Sequence, residues 1–247
     1  QARHRDPKQR YFANVHVGAV PSVGLACVRA GSQIITPPTP ENNRRIYENP
    51  RPFNWGFVIL FDIETAEPLA LMHEYYLSGM RVGATSGLCV DQVAPKDVKT
   101  LGLFGTGKQA GSAFDAINTV RDFERVIVYS PNPEHREMFV TEKRKQWGDK
   151  VEVIMADTPD APVKGADVIC CCTTAMEPVF DGNLLEDGQL VVSIANSDST
   201  NKKRTEVDEA TYAKATNIIV NDWESVIDND QTELLEPLDA GTIKRES

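Results

Sequence analysis

Short apolar runs alternate along the second half of the chain with longer segments in which apolar residues recur at helical spacing. The runs occupy residues 100–104, 125–129, 151–155, 167–172 and 190–194, and helical patterns cover residues 108–120, 133–146 and 205–215. Strands that are apolar along their whole length are buried on both faces, and the helices between them cover both faces of a parallel sheet. We therefore predict an α/β fold whose larger domain spans residues 98–222.

The first part of the chain has a different pattern, which indicates strands without long helices. Alternating or apolar segments lie at residues 15–20, 23–29, 54–62 and 68–72, and the polar, proline-rich residues 37–52 indicate an exposed loop. These strands predict a smaller β-rich domain over residues 1–97. A final segment, residues 223–247, is expected to return toward this first domain.

One helix is predicted to link the two domains. Residues 78–94 carry Ala, Gly and Val at helical spacing, with Ser78 as the N-cap, Arg81 in the first turn and Pro95 closing the helix. We place the domain boundary just after this helix, near residues 95–99.

A glycine-rich turn follows the first strand of the larger domain. The apolar run stops at Gly105, and a helical pattern begins two or three residues later. Gly105 permits a sharp turn, Gly107 lets the backbone approach a phosphate, and the helix start directs N–H groups toward an anion. Ordinary strand–helix turns share this spacing, but the parallel sheet favours a Rossmann dinucleotide-binding domain. The candidate phosphate-binding residues are Gly105, Thr106, Gly107, Lys108, Gln109 and Ala110.

The residue at the end of the second parallel strand helps to distinguish an NAD site from an NADP site. An NAD site usually carries Asp or Glu there to accept from the ribose hydroxyls, whereas this chain has Ser130. Ser130 and Asn132 could donate to a 2′-phosphate, and His135 or Arg136 could supply positive charge. This pattern favours NADPH, although Arg136 on a solvated helix face is the alternative interpretation.

Composition and charge narrow the classes of partner. Hydrophobic residues make up 41% and charged residues 25% of the chain, and the formal net charge is −10. An acidic surface repels phosphate backbones, which argues against nucleic acid. The longest apolar runs are strand-sized, which argues against a membrane span, and the polar residues 1–10 do not resemble a signal peptide. Because the chain starts with Gln1 and stops abruptly at Ser247, we expect it to be part of a longer polypeptide.

Three of the five cysteines are consecutive, Cys170 to Cys172. An odd count with adjacent residues makes a poor disulfide framework and has no metal-ligand spacing, so we expect no metal. The run is typical of a buried strand in which cysteine serves as a small apolar residue, with redox chemistry as the alternative. A reducing compartment is implied, and we expect a cytoplasmic protein.

Several motifs, in a shared order, give the chain a family resemblance. They are the turn at residues 101–110 with its Gln109-Ala110, the strand pair at 60–62 and 67–71, the helix start at 77–86, and the loops at 173–180 and 194–198. Along nearly all of its length the chain resembles the ornithine cyclodeaminase/μ-crystallin family.

The resemblance implies a two-domain enzyme that binds NAD(P) in the Rossmann half. The β-rich half would form a homodimer and carry much of the substrate site. Hydride would pass between the nicotinamide and the α-carbon of a small amino acid or its imine, while the protein orients that carbon. A redox-neutral ornithine cyclodeaminase reaction, or a non-catalytic protein that holds NADPH and a small ligand, is the alternative.

The resemblance also implies roles for individual residues. Arg81 matches the family's carboxylate-binding arginine, and Asp198 matches the catalytic acid that faces the substrate nitrogen. Thr173 or Thr174 would lie along the nicotinamide. The alternatives are a structural ion pair for Arg81, a loop cap for Asp198 and a local turn for the threonines.

Two departures from the family pattern bear on the substrate. Many relatives carry a lysine where this chain has Ala26, and Arg29, three residues further along a strand, would face the opposite side. A basic residue from positions 4–10 is a possible substitute, and the loss makes ornithine itself doubtful as substrate. The basic loop at residues 199–204 is longer than the family's.

Overall fold

The computed structural model describes residues 8–37, 39, 46–47, 55–195 and 204–245. The chain divides into two compact units, Gln1–Gly79 and Met80–Ser247. This division lies within the linking helix, whereas we had placed the domain boundary after it. Each unit is described separately below.

The first unit contains an antiparallel sheet in the order β1-β2-β4-β5, with β3 paired to β2. The strands are β1 (Arg10–Val20), β2 (Leu25–Thr36), β3 (Ile46–Tyr47), β4 (Trp55–Asp62) and β5 (Pro68–His73). The first two are longer than predicted because they pair without interruption from Arg10↔Ile35 to Val20↔Leu25. Pro21–Val23 forms a 3₁₀ turn between them, and Gly24 closes it with a φ of 70°.

One face of this sheet is apolar and remains exposed. The pairing register places Val17 opposite Val28, Val28 opposite Ile59 and Ile59 opposite Leu71, so these side chains share a face. Val17 is 77% exposed and Leu71 68% exposed. We call this surface the apolar sheet face, and its exposed members are Tyr11, Val15, Val17, Trp55, Phe57 and Leu71.

Helix α1 (Glu74–Val93) follows β5 directly. The prediction that Ser78 caps this helix, with Arg81 in its first turn, was wrong, because the helix begins at Glu74. Two earlier contacts favour that start: His73 Nδ1 accepts from Tyr75 N at 3.2 Å, and Glu74 forms an ion pair with Arg29 at 2.6 Å. The helix ends shortly before Pro95, as predicted.

The second unit contains a five-stranded sheet in the order β10-β9-β6-β7-β8, and every pair in it is parallel. Its strands are β6 (Thr100–Phe104), β7 (Arg125–Tyr129), β8 (Glu152–Met155), β9 (Val168–Cys171) and β10 (Leu190–Ser193). Its helices are α2 (Lys108–Val120), α3 (Pro133–Trp147), α4 (Glu209–Lys214), α5 (Trp223–Asp228) and α6 (Thr232–Asp239). The predicted α/β fold with a Rossmann-type parallel sheet is confirmed.

Helix α4 is shorter than the predicted 205–215. It begins at Glu209 because the Asp208 side chain caps it, accepting from Thr211 N at 2.8 Å. Thr205 instead forms an isolated bridge with Met176. The residues just before α4 are thereby held against the loop that follows β9.

Cys170 and Cys171 are the last two residues of the buried strand β9, and Cys172 follows them. Cys170 and Cys172 pack in one layer of the core, and Cys171 packs in the other. Burial raises the pKa of the Cys171 thiol well above its ordinary value. These thiols therefore contribute apolar packing. Within the described ranges, the structure contains no helix long and apolar enough to cross a bilayer.

Candidate functional site

The carboxyl ends of three neighbouring parallel strands meet at one edge of the second sheet. Strand β6 pairs with β7 on one side and with β9 on the other. The chain therefore passes from β6 to one side of the sheet and returns to the other side for β9. In open α/β sheets, ligands bind in the crevice that this change of direction creates. Gly105, Ser130 and Thr173 lie at or just beyond these strand ends.

Gly105 directly follows β6 and has a backbone conformation that favours glycine. Its φ is 106°, and a Cβ at this position would overlap the carbonyl of Cys172. Its N–H donates to the Tyr129 carbonyl at 2.8 Å. The turn is therefore fixed between the ends of β7 and β9.

Gly107 is the N-cap of α2, and it leaves space for a ligand. Its backbone is extended and supplies no side-chain cap, and a Cβ built there would have no described atom within 4 Å. The first N–H groups of α2 can therefore bind an anion instead of a capping side chain. This open, uncapped helix start fits a pyrophosphate.

The remaining residues of the turn differ in exposure. Ala110 is fully buried, Thr106 and Gln109 are half-buried, and Lys108 is exposed. Gln109 Oε1 is a buried acceptor that lacks a hydrogen-bond partner among the described residues. A hydroxyl or amide of a bound ligand could donate to it.

The segment after β7 contains Ser130, Asn132 and Arg136. Ser130 is half-buried. Asn132 caps α3, its Oδ1 accepting from His135 N at 3.1 Å. Arg136 is 8% exposed and is therefore not on a solvated helix face. Its guanidinium lies 5.3 Å from the Tyr129 ring centroid and 3.9 Å from Asp157 Oδ1.

Thr173, two residues after β9, is hydrogen-bonded to a glutamate that we did not predict. Its N–H donates to Glu206 Oε1 at 2.5 Å, and its hydroxyl donates to the same oxygen at 2.7 Å. The Thr173 hydroxyl also accepts from Ala175 N at 3.1 Å. Thr173, one of the two residues that we expected along a nicotinamide, thus has its hydroxyl proton bound by a carboxylate of the protein. Thr174 is exposed.

Glu206 belongs to a buried polar cluster at the ends of β9 and β10. Its other oxygen, Oε2, accepts from Ser193 Oγ at 2.9 Å and from Ile194 N at 3.0 Å. Glu233 on α6 lies 2.8 Å from the same Ser193 hydroxyl and also accepts from Glu206 N. No local sequence pattern singles out these two acids among the 36 in the chain.

The two residues expected to contact the substrate differ in what the structure describes. Arg81 is exposed, on α1, more than a turn after the helix start. Asp198 lies outside the described residues, as do positions 4–7 and residues 199–203 of the basic loop. Arg29 faces the side of β2 opposite Ala26, as predicted, and its ion pair with Glu74 makes it a poor substitute for the family lysine.

A family model described as the ornithine cyclodeaminase/mu-crystallin family matches residues 18–236. A Delta(1)-pyrroline-2-carboxylate reductase of Bacillus cereus is 33% identical over 94% of this chain and 69% of its own length. A second B. cereus reductase of that name is 32% identical, with 64% of its length matched. The chain thus spans about two thirds of the length of these relatives.

Two solved structures of similar fold are those of reductases. The Thermococcus litoralis Delta(1)-pyrroline-2-carboxylate reductase, in complex with NADH and L-proline, superimposes with a TM-score of 0.72 at 25% identity, covering 96% of this chain and 72% of that one. The iminosuccinate reductase of Paracoccus denitrificans in complex with NAD⁺ superimposes with a TM-score of 0.69 at 22% identity, with the same coverage.

Proposed function

Because the chain belongs to the ornithine cyclodeaminase/mu-crystallin family, we propose that it is an NAD(P)-dependent oxidoreductase. Its substrate would be a cyclic or open imine of a small amino acid, which it reduces. The observation that carries this proposal is the match with a pyrroline-2-carboxylate reductase over 94% of the chain. The glycine turn supports it, because its positive φ and open helix start suit a dinucleotide.

The cofactor would supply the hydride, and the protein would bind and orient the substrate. Arg81 would hold the substrate carboxylate with two parallel hydrogen bonds, as a guanidinium does well. Asp198 would hold the iminium nitrogen or supply its proton. Because Ala26 replaces the family lysine, we expect a substrate other than ornithine.

The test is an absorbance assay of NADH and NADPH oxidation with pyrroline-2-carboxylate, piperideine-2-carboxylate and iminosuccinate as separate substrates. We expect turnover with at least one imine. Arg81→Ala should mainly raise KM and Asp198→Asn should mainly lower kcat. Tight NADPH binding without turnover of any imine or amino acid would contradict the enzymatic function and favour a non-catalytic ligand-binding role.

We also propose a preference for NADPH over NADH. The support is the absence of an acid at Ser130 and the presence of the Arg136 guanidinium close to the end of β7. Arg136→Met should weaken NADPH binding about tenfold or more while changing NADH binding little, because only NADPH carries the 2′-phosphate. Lys145→Met, which removes an exposed charge from the same helix, is the control. Equal loss for both cofactors would contradict the preference.

A homodimer formed through the first unit is the third part of the proposal. The apolar sheet face supports it, since contiguous exposed apolar surface of this kind is typical of protein interfaces.

A reducing, cytoplasmic environment is proposed because all five cysteines, each within the described residues, are free thiols.

A further inference from the structure

Two carboxyl groups, those of buried Glu206 and half-buried Glu233, lie within hydrogen-bond distance of one serine hydroxyl near the ends of β9 and β10. Ser193 Oγ lies 2.9 Å from Glu206 Oε2 and 2.8 Å from Glu233 Oε1, both hydrogen-bond distances. A hydroxyl has a single proton to donate. It can therefore satisfy one of the two oxygens, and the contact with the other requires a proton on that carboxyl group. Ala195 N donates to the same hydroxyl at 3.2 Å, so the Ser193 oxygen also acts as an acceptor.

The backbone donors indicate which carboxyl group carries the extra proton. Each oxygen of Glu206 accepts from a backbone N–H, Oε1 from Thr173 and Oε2 from Ile194. A proton on either oxygen would weaken an acceptor that a fixed donor needs. In Glu233, Oε2 accepts the backbone N–H groups of Glu206 and Val207. Among the described residues, the hydrogen-bond partners of Glu233 Oε1 are the hydroxyls of Ser193 and Tyr212. A hydroxyl can rotate to accept a proton.

We propose that Glu206 is ionised and Glu233 is protonated, with the Glu233 proton donated to Ser193, and that Glu206 is the positioning residue that fixes the ends of β9 and β10 at the cofactor edge. The first half of this inference is independent of the proposed function. The second half rests on the proposed function, which assigns a cofactor to this edge.

Glu206 can position this edge because its one carboxylate bridges both strand ends. It receives two hydrogen bonds from Thr173 and one each from Ser193 and Ile194, and it is fully buried. The Thr173 methyl group lies 3.5 Å from the place that a Cβ on Gly105 would occupy. The hydrogen-bond network therefore lies beside the glycine turn and reaches Ile194, just after β10.

The surroundings of the pair agree with a single shared charge. Burial is the largest influence on the Glu233 carboxyl, and it raises its pKa above the ordinary 4.5. Glu206 adds to this effect through its negative charge. The other titratable or charged groups close to the pair are Cys171, Tyr212 and Arg204, of which the last donates to the Thr173 carbonyl.

Glutamine substitutions distinguish the two carboxyl groups. Glu233→Gln should be tolerated, because its amide can donate to Ser193 and its oxygen can accept from the two backbone donors. In Glu206→Gln the amide NH₂ meets a backbone N–H in either orientation. We expect Glu206→Gln to lower Tm by about 5–10 °C. Glu233→Gln and the exposed control Glu137→Gln should stay within about 2 °C of the unsubstituted protein near pH 6.

The pH dependence of Tm tests the location of the proton. A carboxyl whose pKa is raised on folding stabilises the protein fully below its unfolded value of 4.5, and this contribution is lost as pH rises through the folded value. Tm of the unsubstituted protein should therefore fall relative to that of Glu233→Gln as pH increases. A constant Tm difference, or a Glu233→Gln variant as damaged as Glu206→Gln, would overturn the assignment.

An infrared measurement keeps the proposal testable if Glu206→Gln does not fold. The infrared carbonyl band of a protonated carboxyl group should be present near pH 6 in the unsubstituted protein and in Glu137→Gln, and absent from Glu233→Gln. Where Glu206→Gln folds, its kcat well below Tm should fall about tenfold or more, with NADPH affinity reduced, whereas Glu233→Gln should retain both. Normal kcat and affinity in folded Glu206→Gln would reject the positioning role, and an inactive unsubstituted protein would reject only the proposed function.

Discussion

Gly105 and Gly107 lie two residues apart, yet they need to be glycine for different reasons. Gly105 has a φ of 106° and no room for a Cβ beside the Cys172 carbonyl. Gly107 has an ordinary φ of −88° and open space around it. Glycine at position 105 is therefore required by the backbone conformation, whereas Gly107 leaves open space at the start of α2.

Alanine substitutions should separate these two roles. Gly105→Ala should lower Tm by about 3–10 °C, because strain at such a backbone position costs about 1–3 kcal/mol and the overlap with Cys172 adds to it. Gly107→Ala should leave Tm nearly unchanged but weaken NADPH binding about tenfold or more by occupying phosphate space. Thermal unfolding and fluorescence titration measure the two effects. A large loss of Tm in Gly107→Ala would contradict the assigned roles.

The sequence predicted the glycine turn but missed the glutamates that hold the edge beside it. Glycines at this spacing after an apolar strand have a local signature. Glu206 and Glu233 have none, since their partners lie 12 to 40 residues away along the chain. Asn132, predicted to donate to a phosphate, also has a local use as the cap of α3. Buried hydrogen-bond networks depend on tertiary packing, and spacing alone does not reveal them.

At the scale of elements, the strands and helices of the parallel sheet were predicted best. The bounds of β6, α2 and β7 agree with the apolar and helical patterns at every residue. The start of α1 was missed, because His73 and the Arg29–Glu74 ion pair favour a start at Glu74 that helical spacing does not indicate. The ends of β6, α2 and β7 thus follow the local pattern, whereas the start of α1 also depends on Arg29, which lies 45 residues earlier in the chain.

Arg121 is the clearest case of a distant side chain that completes a helix. Its guanidinium is buried and donates to the carbonyls of Val90, Asp91, Ala94 and Pro95, around the end of α1. A helix C-terminus leaves such carbonyls without partners and carries partial negative charge. The Arg121 guanidinium donates hydrogen bonds to these carbonyls and places a positive charge beside them.

Arg121→Lys should lower Tm by about 5–10 °C, because a lysine lacks the planar fork that reaches several carbonyls at once. Arg125→Lys, at an exposed position on β7, is the matched control and should change Tm by about 2 °C or less. Calorimetry or circular dichroism measures both values. Equal stability of the two variants would show that the cap contributes little.

At the scale of the whole molecule, the apolar sheet face is the main feature that the chain alone leaves unexplained. Its members alternate with residues of the opposite face, so one strand surface is apolar although it is exposed. Monomeric proteins rarely expose a contiguous patch of this kind. The proposed homodimer would bury it.

Lysine substitutions on this face should separate the subunits. Val17→Lys and Leu71→Lys place charges where an interface would exclude water, so we expect a shift toward monomers in analytical ultracentrifugation. Met138→Lys, which replaces another exposed apolar residue on α3, should leave the distribution unchanged. A monomeric unsubstituted protein, or a dimer resistant to both substitutions, would contradict the assignment of the interface.

In the proposed reaction, hydride passes from the nicotinamide to the α-carbon of an imine. The most direct measurement uses NADPH labelled with deuterium at C4, on each face in turn, with pyrroline-2-carboxylate as substrate and mass spectrometry of the product. We expect proline that carries deuterium at its α-carbon from one labelled face and not from the other. Proline without deuterium from either face, or tight NADPH binding with no reduced product from this or any other imine, would contradict the proposed reaction.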